Sequence, residues 1–158
     1  MYMSFAKLMQ RFKGDIMHDV APAKPHDPLR LATAAVLLDI GYADGTLTPE
    51  EDHDLVDYLE RAFVLGAEDA RDLVRAAQEI RNRTIDHFAM THYIRTHATL
   101  EERVEIVRTM WHMVYADGKL SDYENYLVRK LADLLGLEHH VMIEAKLQVL
   151  RELGIAAR

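Results

Sequence analysis

The sequence predicts an all-α protein, a helical bundle of about seven to eight helices with two related helix-turn-helix halves. Three observations carry this. Apolar residues recur at i, i+3 and i+4 along most of the chain, while no stretch sustains the period-two alternation of a strand. Tyr42-Ala43-Asp44-Gly45 and Tyr115-Ala116-Asp117-Gly118 are near copies, each placed between one apolar helix and the start of another. Four Pro and seven scattered Gly leave long helical stretches uninterrupted.

Each element has its own reason. Residues 1–17 place Phe5, Leu8, Met9, Phe12 and Ile16 at helical spacing, with Lys7, Arg11 and Lys13 between them, the pattern of a short amphipathic helix. Such a helix either packs on the body of the domain or a second copy, or touches a membrane surface or a partner's groove. Residues 18–28 hold Pro22, Pro25 and Pro28, which exclude helix interior and mark an extended linker. The body is expected over 29–158. Residues 29–43 are rich in Ala and Leu; 49–64 line up Leu55, Tyr58, Leu59 and Phe63. Residues 67–80 line up Ala70, Leu73, Val74, Ala77 and Ile80, and 85–95 carry Phe88 and Ile94 as weaker markers. Val104, Val107, Trp111 and Val114 mark 100–116; Leu127, Leu131, Leu134 and Leu135 mark 122–135; Met142, Ala145, Val149 and Leu153 mark 138–153.

Composition removes several functions. The 158 residues include no Cys, which excludes disulfide scaffolds, thiolate-bound zinc and a thiol nucleophile. A formal net charge of −7 repels phosphate backbones, so no nucleic-acid partner is expected. No apolar run approaches the ~20 residues of a membrane span, and the first residues lack a secretory signal's compact apolar core, so a cytoplasmic chain is expected. Ser is limited to Ser4 and Ser121, and no phosphate-cradling Gly loop is present, so an enzyme is not expected. The nine His include His87/His92 and His139/His140, neither pair spaced to put two rings on one helix face. Trp111 and Tyr115, four apart, read as core, and Arg71, Arg75, Arg81 and Arg83 alternate with acids as a solvated face.

The two turns hold the chemistry. Gly45 and Gly118 suit a left-handed residue past a helix end, and Thr48 and Ser121 suit N-caps whose boxes close on Glu51 and Glu124. Pro49 fits a first helical turn, and Glu50 and Asp122 favour its positive end. Asp44 and Asp117 have no such explanation, because a carboxylate at a helix C-terminus faces a negative dipole. Each turn matches the second half of an EF-hand loop: Asp-Gly, Leu47 or Leu120, then a hydroxyl residue, then Glu six after the Gly. The first half fails, with Ile40 and Tyr42, or Met113 and Tyr115, where acidic ligands belong. Two readings stay open: turn-and-cap architecture alone, or converging half-sites for one cation, with Asp39 or His112 as auxiliaries. All-oxygen ligation favours Ca²⁺ or Mg²⁺.

At these residues the sequence resembles the TerB-like family, the tellurite-resistance TerB domain and its bacterial relatives, over roughly residues 28–150. The most specific part is the run Glu101-Glu102-Arg103-Val104-Glu105-Ile106-Val107-Arg108-Thr109-Met110-Trp111-His112-Met113-Val114 leading into Tyr115-Ala116-Asp117-Gly118, with Leu134-Leu135-Gly136 beyond it. Leu31 to Leu38 ahead of Ala43-Asp44-Gly45 supports it. The resemblance implies an all-helical domain with a carboxylate cluster for a divalent metal, onto which Asp44, Glu51, Asp117 and Glu124 carry over. It also implies links to tellurite and stress responses and to membrane-linked complexes. The rival reading of the residues is an interaction scaffold, in which the acidic turns dock a basic, unidentified protein partner and the N-terminal helix recruits a membrane, at the periphery of the inner membrane, or a second protein. The resemblance supplies no reaction.

Overall fold

From Leu31 to Gly41 the only ionisable side chain is Asp39; a helix this apolar on every side has to be enclosed. The computed structural model describes residues 27–83, 87–116 and 120–155. In it, α1 (Pro28–Gly41) is buried at every position from Leu31 onward. Around it pack α2 (Pro49–Phe63), α3 (Ala67–Asn82), α4 (His87–His97), α5 (Leu100–Tyr115) and α6 (Asp122–Leu134). The last helix, α7 (His139–Glu152), lies on α5 and α6. All described elements are helices, as the periodicity predicts. The expected helix over 1–17, nearly all of the linker, Ile85, Asp117 and Gly118 lie outside the described residues.

α5 is the second enclosed helix. Ile106, Val107, Met110, Trp111, Met113 and Val114 are all buried, Trp111 completely. Buried hydroxyls inside the two enclosed helices are satisfied within the helix: Thr33 Oγ1 donates to the Leu29 carbonyl at 2.8 Å and Thr109 Oγ1 to the Glu105 carbonyl at 2.9 Å. α4 departs from expectation. Phe88 is half exposed, and the side chains that α4 sinks into the core are Met90, Thr91 and Ile94.

Helix ends follow local chemistry. Capping boxes start α2 on Thr48/Glu51 and α6 on Ser121/Glu124, and a third starts α5 on Thr99/Glu102. α2 and α6 stop on one motif: the Leu65 amide reaches the Glu60 carbonyl at 3.0 Å, and the Leu137 amide reaches the Ala132 carbonyl at 3.1 Å. The left-handed step is Val64 in the first case, φ 52°, and Gly136 in the second, φ 79°. A β-branched residue held there costs about 1–2 kcal/mol relative to its favoured conformations. Among the described residues no helix is long and apolar enough to cross a membrane.

Candidate metal centre

α1 ends two residues earlier than its apolar pattern suggests. The Tyr42 amide still reaches the Leu38 carbonyl at 2.9 Å, but Ala43 reaches only Ile40 at 3.1 Å and Gly45 only Tyr42 at 2.9 Å. The chain thus tightens into a turn before Asp44. This corrects the expectation that Asp44 closes the helix: it stands in the turn, exposed, where Oδ1 accepts the Thr46 amide at 3.3 Å. Gly45 takes φ 101°, the conformation for which the turn needs glycine. Leu47 then folds back onto Gly41, whose Cβ position would also lie 3.3 Å from Met113 Cε. The first turn is therefore packed against the end of α5, where the second turn begins.

The capping glutamates lie deepest. Glu51 is 4% exposed and Glu124 is 5% exposed. Each closes its box with one carboxylate oxygen: Glu51 Oε1 accepts the Thr48 amide at 3.1 Å, and Glu124 Oε1 accepts the Ser121 amide at 3.2 Å. Glu51 Oε2 is buried with no hydrogen-bond partner. Burial raises the Glu51 pKa above the usual carboxylate range; the bonds from Thr48 oppose this, and the charges of Asp44 and Glu124 add to it. The negative charges of Asp44, in the first turn, and Glu124, in the second, thus both disfavour ionisation of Glu51. Among the described residues no basic side chain forms an ion pair with Asp44, Glu51 or Glu124. Among the described residues no three His, Asp or Glu side chains gather tightly enough to hold an ion, and Asp117 is not among them.

The auxiliaries are committed elsewhere. Asp39 Oδ1 accepts from Arg81 Nε at 2.7 Å, and the same guanidinium lies 4.7 Å from the Tyr42 ring centre. Arg81 is thereby taken out of the solvated Arg face. The signal was in the sequence, since Arg81 falls on the stripe of Val74 and Ala77 at i+7 and i+4. His112 Nε2 meets Glu152 Oε2 at 2.9 Å, and Arg108 binds the other Glu152 oxygen. The adjacent Asp54 has a pKa raised by burial and lowered in part by the charges of His112 and His53. Three further His residues make local contacts: His92 stacks on Phe88, His97 on Tyr93, and His140 pairs with Glu138 at the exposed start of α7.

The family model for tellurite resistance protein TerB matches residues 30–147. No curated protein and no solved structure matches the chain. With the match spanning most of its length, including both acidic turns, this chain belongs to the TerB family of tellurite resistance proteins.

Proposed function

We propose that this TerB-family chain is a non-enzymatic module that binds a divalent cation of the Ca²⁺ or Mg²⁺ class between its two acidic turns, as part of a tellurite or stress response. The observation that carries it is Glu51: a buried carboxylate with one oxygen lacking a hydrogen-bond partner, its ionisation opposed by the charges of Asp44 and Glu124, and with no ion pair to any of the three among the described residues. An unpaired buried carboxylate is expensive, and a hard cation on oxygen ligands is its ordinary remedy. Glu51, Glu124 and Asp44 would supply carboxylates, and Asp117 would add a fourth from the second turn. Asp39 stays with Arg81 and is left out of the set. Water and backbone oxygens would complete the shell.

Calorimetric titration with Ca²⁺ and with Mg²⁺ tests this. The wild-type chain is expected to release or take up heat saturably, and the Asp44→Asn, Asp117→Asn double variant to lose that heat. Equal and negligible heats from both would remove the cation.

A second reading is favoured by the surface beside the turns. Tyr123 and Tyr126, in the first turns of α6, are 55% and 58% exposed, and their chain neighbour Asp122 is exposed as well, as are Asp44 and Glu50 of the first turn. Acidic groups around exposed aromatic rings suit a basic protein partner. This scaffold reading fits a cytoplasmic chain working at the edge of an inner-membrane complex, and it survives a null titration.

A further inference from the structure

At the end of α5 opposite the acidic turns, about 24 Å away along its 16 residues, lies a groove of about 300 Å³. Its floor is apolar: Leu29 of α1, Ala62 and Phe63 at the end of α2, and Ile106 of α5. One rim is acidic, formed by Glu101, Glu102 and Glu105. Glu102 closes the α5 capping box and Glu105 pairs with Arg108, whereas Glu101 makes no ion pair among the described residues. On the other rim Arg61 is paired with Asp57, and Arg30 lies 5.5 Å from the Phe63 ring centre. Two apolar side chains flank the lining residues in sequence and face solvent: Val64, 90% exposed in its left-handed conformation, and Leu100, 50% exposed. Apolar surface left open beside a strained β-branched residue is the mark of a contact surface.

We propose that this groove is the seat of the chain's own first segment, residues 1–17. Its sequence is the complement of the groove: Phe5, Leu8, Met9 and Phe12 at helical spacing, with Lys7, Arg11 and Lys13 against the single acid Asp15. The chain enters the body at the groove itself, because Leu29 is both the second residue of α1 and part of the floor. The Pro-containing stretch 18–27 tethers the segment there, so it meets the groove at an effective concentration that a free partner must exceed. The basic side chains are set against Glu101 and its neighbours, and the apolar ones against Phe63, Ala62 and Ile106. The seat is independent of the cation site and stands or falls separately from it.

The absence of Cys makes the test direct. A full-length Leu8→Cys variant carries a nitroxide, and paramagnetic broadening is read at the amides of Ala62, Phe63, Ala98 and Glu101, with Gly154 as the remote reference. Broadening at the groove amides and none at Gly154 is expected. It should vanish when isotope-labelled, Cys-free chain is mixed with unlabelled spin-labelled chain. Glu101→Lys is expected to weaken it about twofold, as losing one exposed ion pair would. Reversing Lys7, Arg11 and Lys13 to Glu should abolish it. Broadening that persists in the mixture identifies a second copy as the occupant and overturns the proposal. So does an unbroadened groove, including the case in which the same chain binds phosphatidylglycerol vesicles, which would make lipid the segment's target.

Discussion

Val64 and Gly136 occupy the same step of the same turn, one after α2 and the other after α6, and they solve it differently. Gly136 has no latitude. A Cβ there would lie 2.8 Å from Arg95 Nε and 3.0 Å from Arg103 Nη1, and Arg103 donates through that Nη1 to the Leu135 carbonyl at 2.8 Å. At Val64 the left-handed backbone is equally demanding, but the side chain stands in solvent. The region from α1 to α3 and the region from α5 to α7 differ in the same way at their ion pairs. Asp39 of α1, its side chain 8% exposed, takes Arg81 of α3; His112 of α5 takes Glu152 of α7, whose side chain is 41% exposed. Position in the chain sets which helices meet, and burial then decides which member of each equivalent set has to be exact.

Exchanging the turn residues gives the widest separation. Gly136→Val is expected to cost about 2–3 kcal/mol, from left-handed strain plus displacement of the arginines. Val64→Gly should gain up to about 1 kcal/mol, because it relieves the strain and disturbs no packing. Denaturant midpoints of the two variants and the wild type check this. Equal losses at both sites would mean that the turns do not differ as described.

The ion pairs come next. Asp39→Asn keeps an acceptor oxygen but removes the negative charge opposite a guanidinium that is two-thirds buried, and should cost about 1–2 kcal/mol. Glu152→Gln acts on a side chain that is 41% exposed, so solvent screening limits its effect to about 0.5 kcal/mol. It carries a pH signature as well. The hydrogen bond from His112, then the charge of Arg108, holds the Glu152 carboxyl below its usual range. Its contribution is therefore present above the ordinary glutamate pKa and is lost as pH falls through the depressed one. Thermal melts of this variant and the wild type should converge on acidification.

The smallest effect has the opposite sign. The Glu51 pKa is raised by burial and by nearby carboxylates, so folding favours its protonated form. That stability is present below the ordinary glutamate pKa and is lost as pH rises through the raised one. Glu51→Gln keeps an oxygen for the Thr48 amide and should raise the metal-free melting temperature at neutral pH. The same change should erase any stabilisation by added Ca²⁺ or Mg²⁺. A variant less stable than wild type in metal-free buffer would mean that Glu51 is satisfied without a cation.

The helices, their order and their caps were legible in the residues because all three are local. Spacings of three and four residues, Thr48 three before Glu51 and Ser121 three before Glu124 need no knowledge of what packs where. So was the fold class, since residues that leave no polar face on α1 require other helices around it. What folding alone decided was the use of each charge. Asp39 and Arg81 are 42 residues apart, His112 and Glu152 are 40 apart, and no local spacing pairs them. Nor could the sequence show that the Glu51 carboxylate is buried with one oxygen lacking a hydrogen-bond partner, or open a groove at the foot of α1. Backbone hydrogen bonds and apolar periodicity act within a few residues; desolvation and Coulomb attraction act through space, and they take their values only once the helices have been brought together.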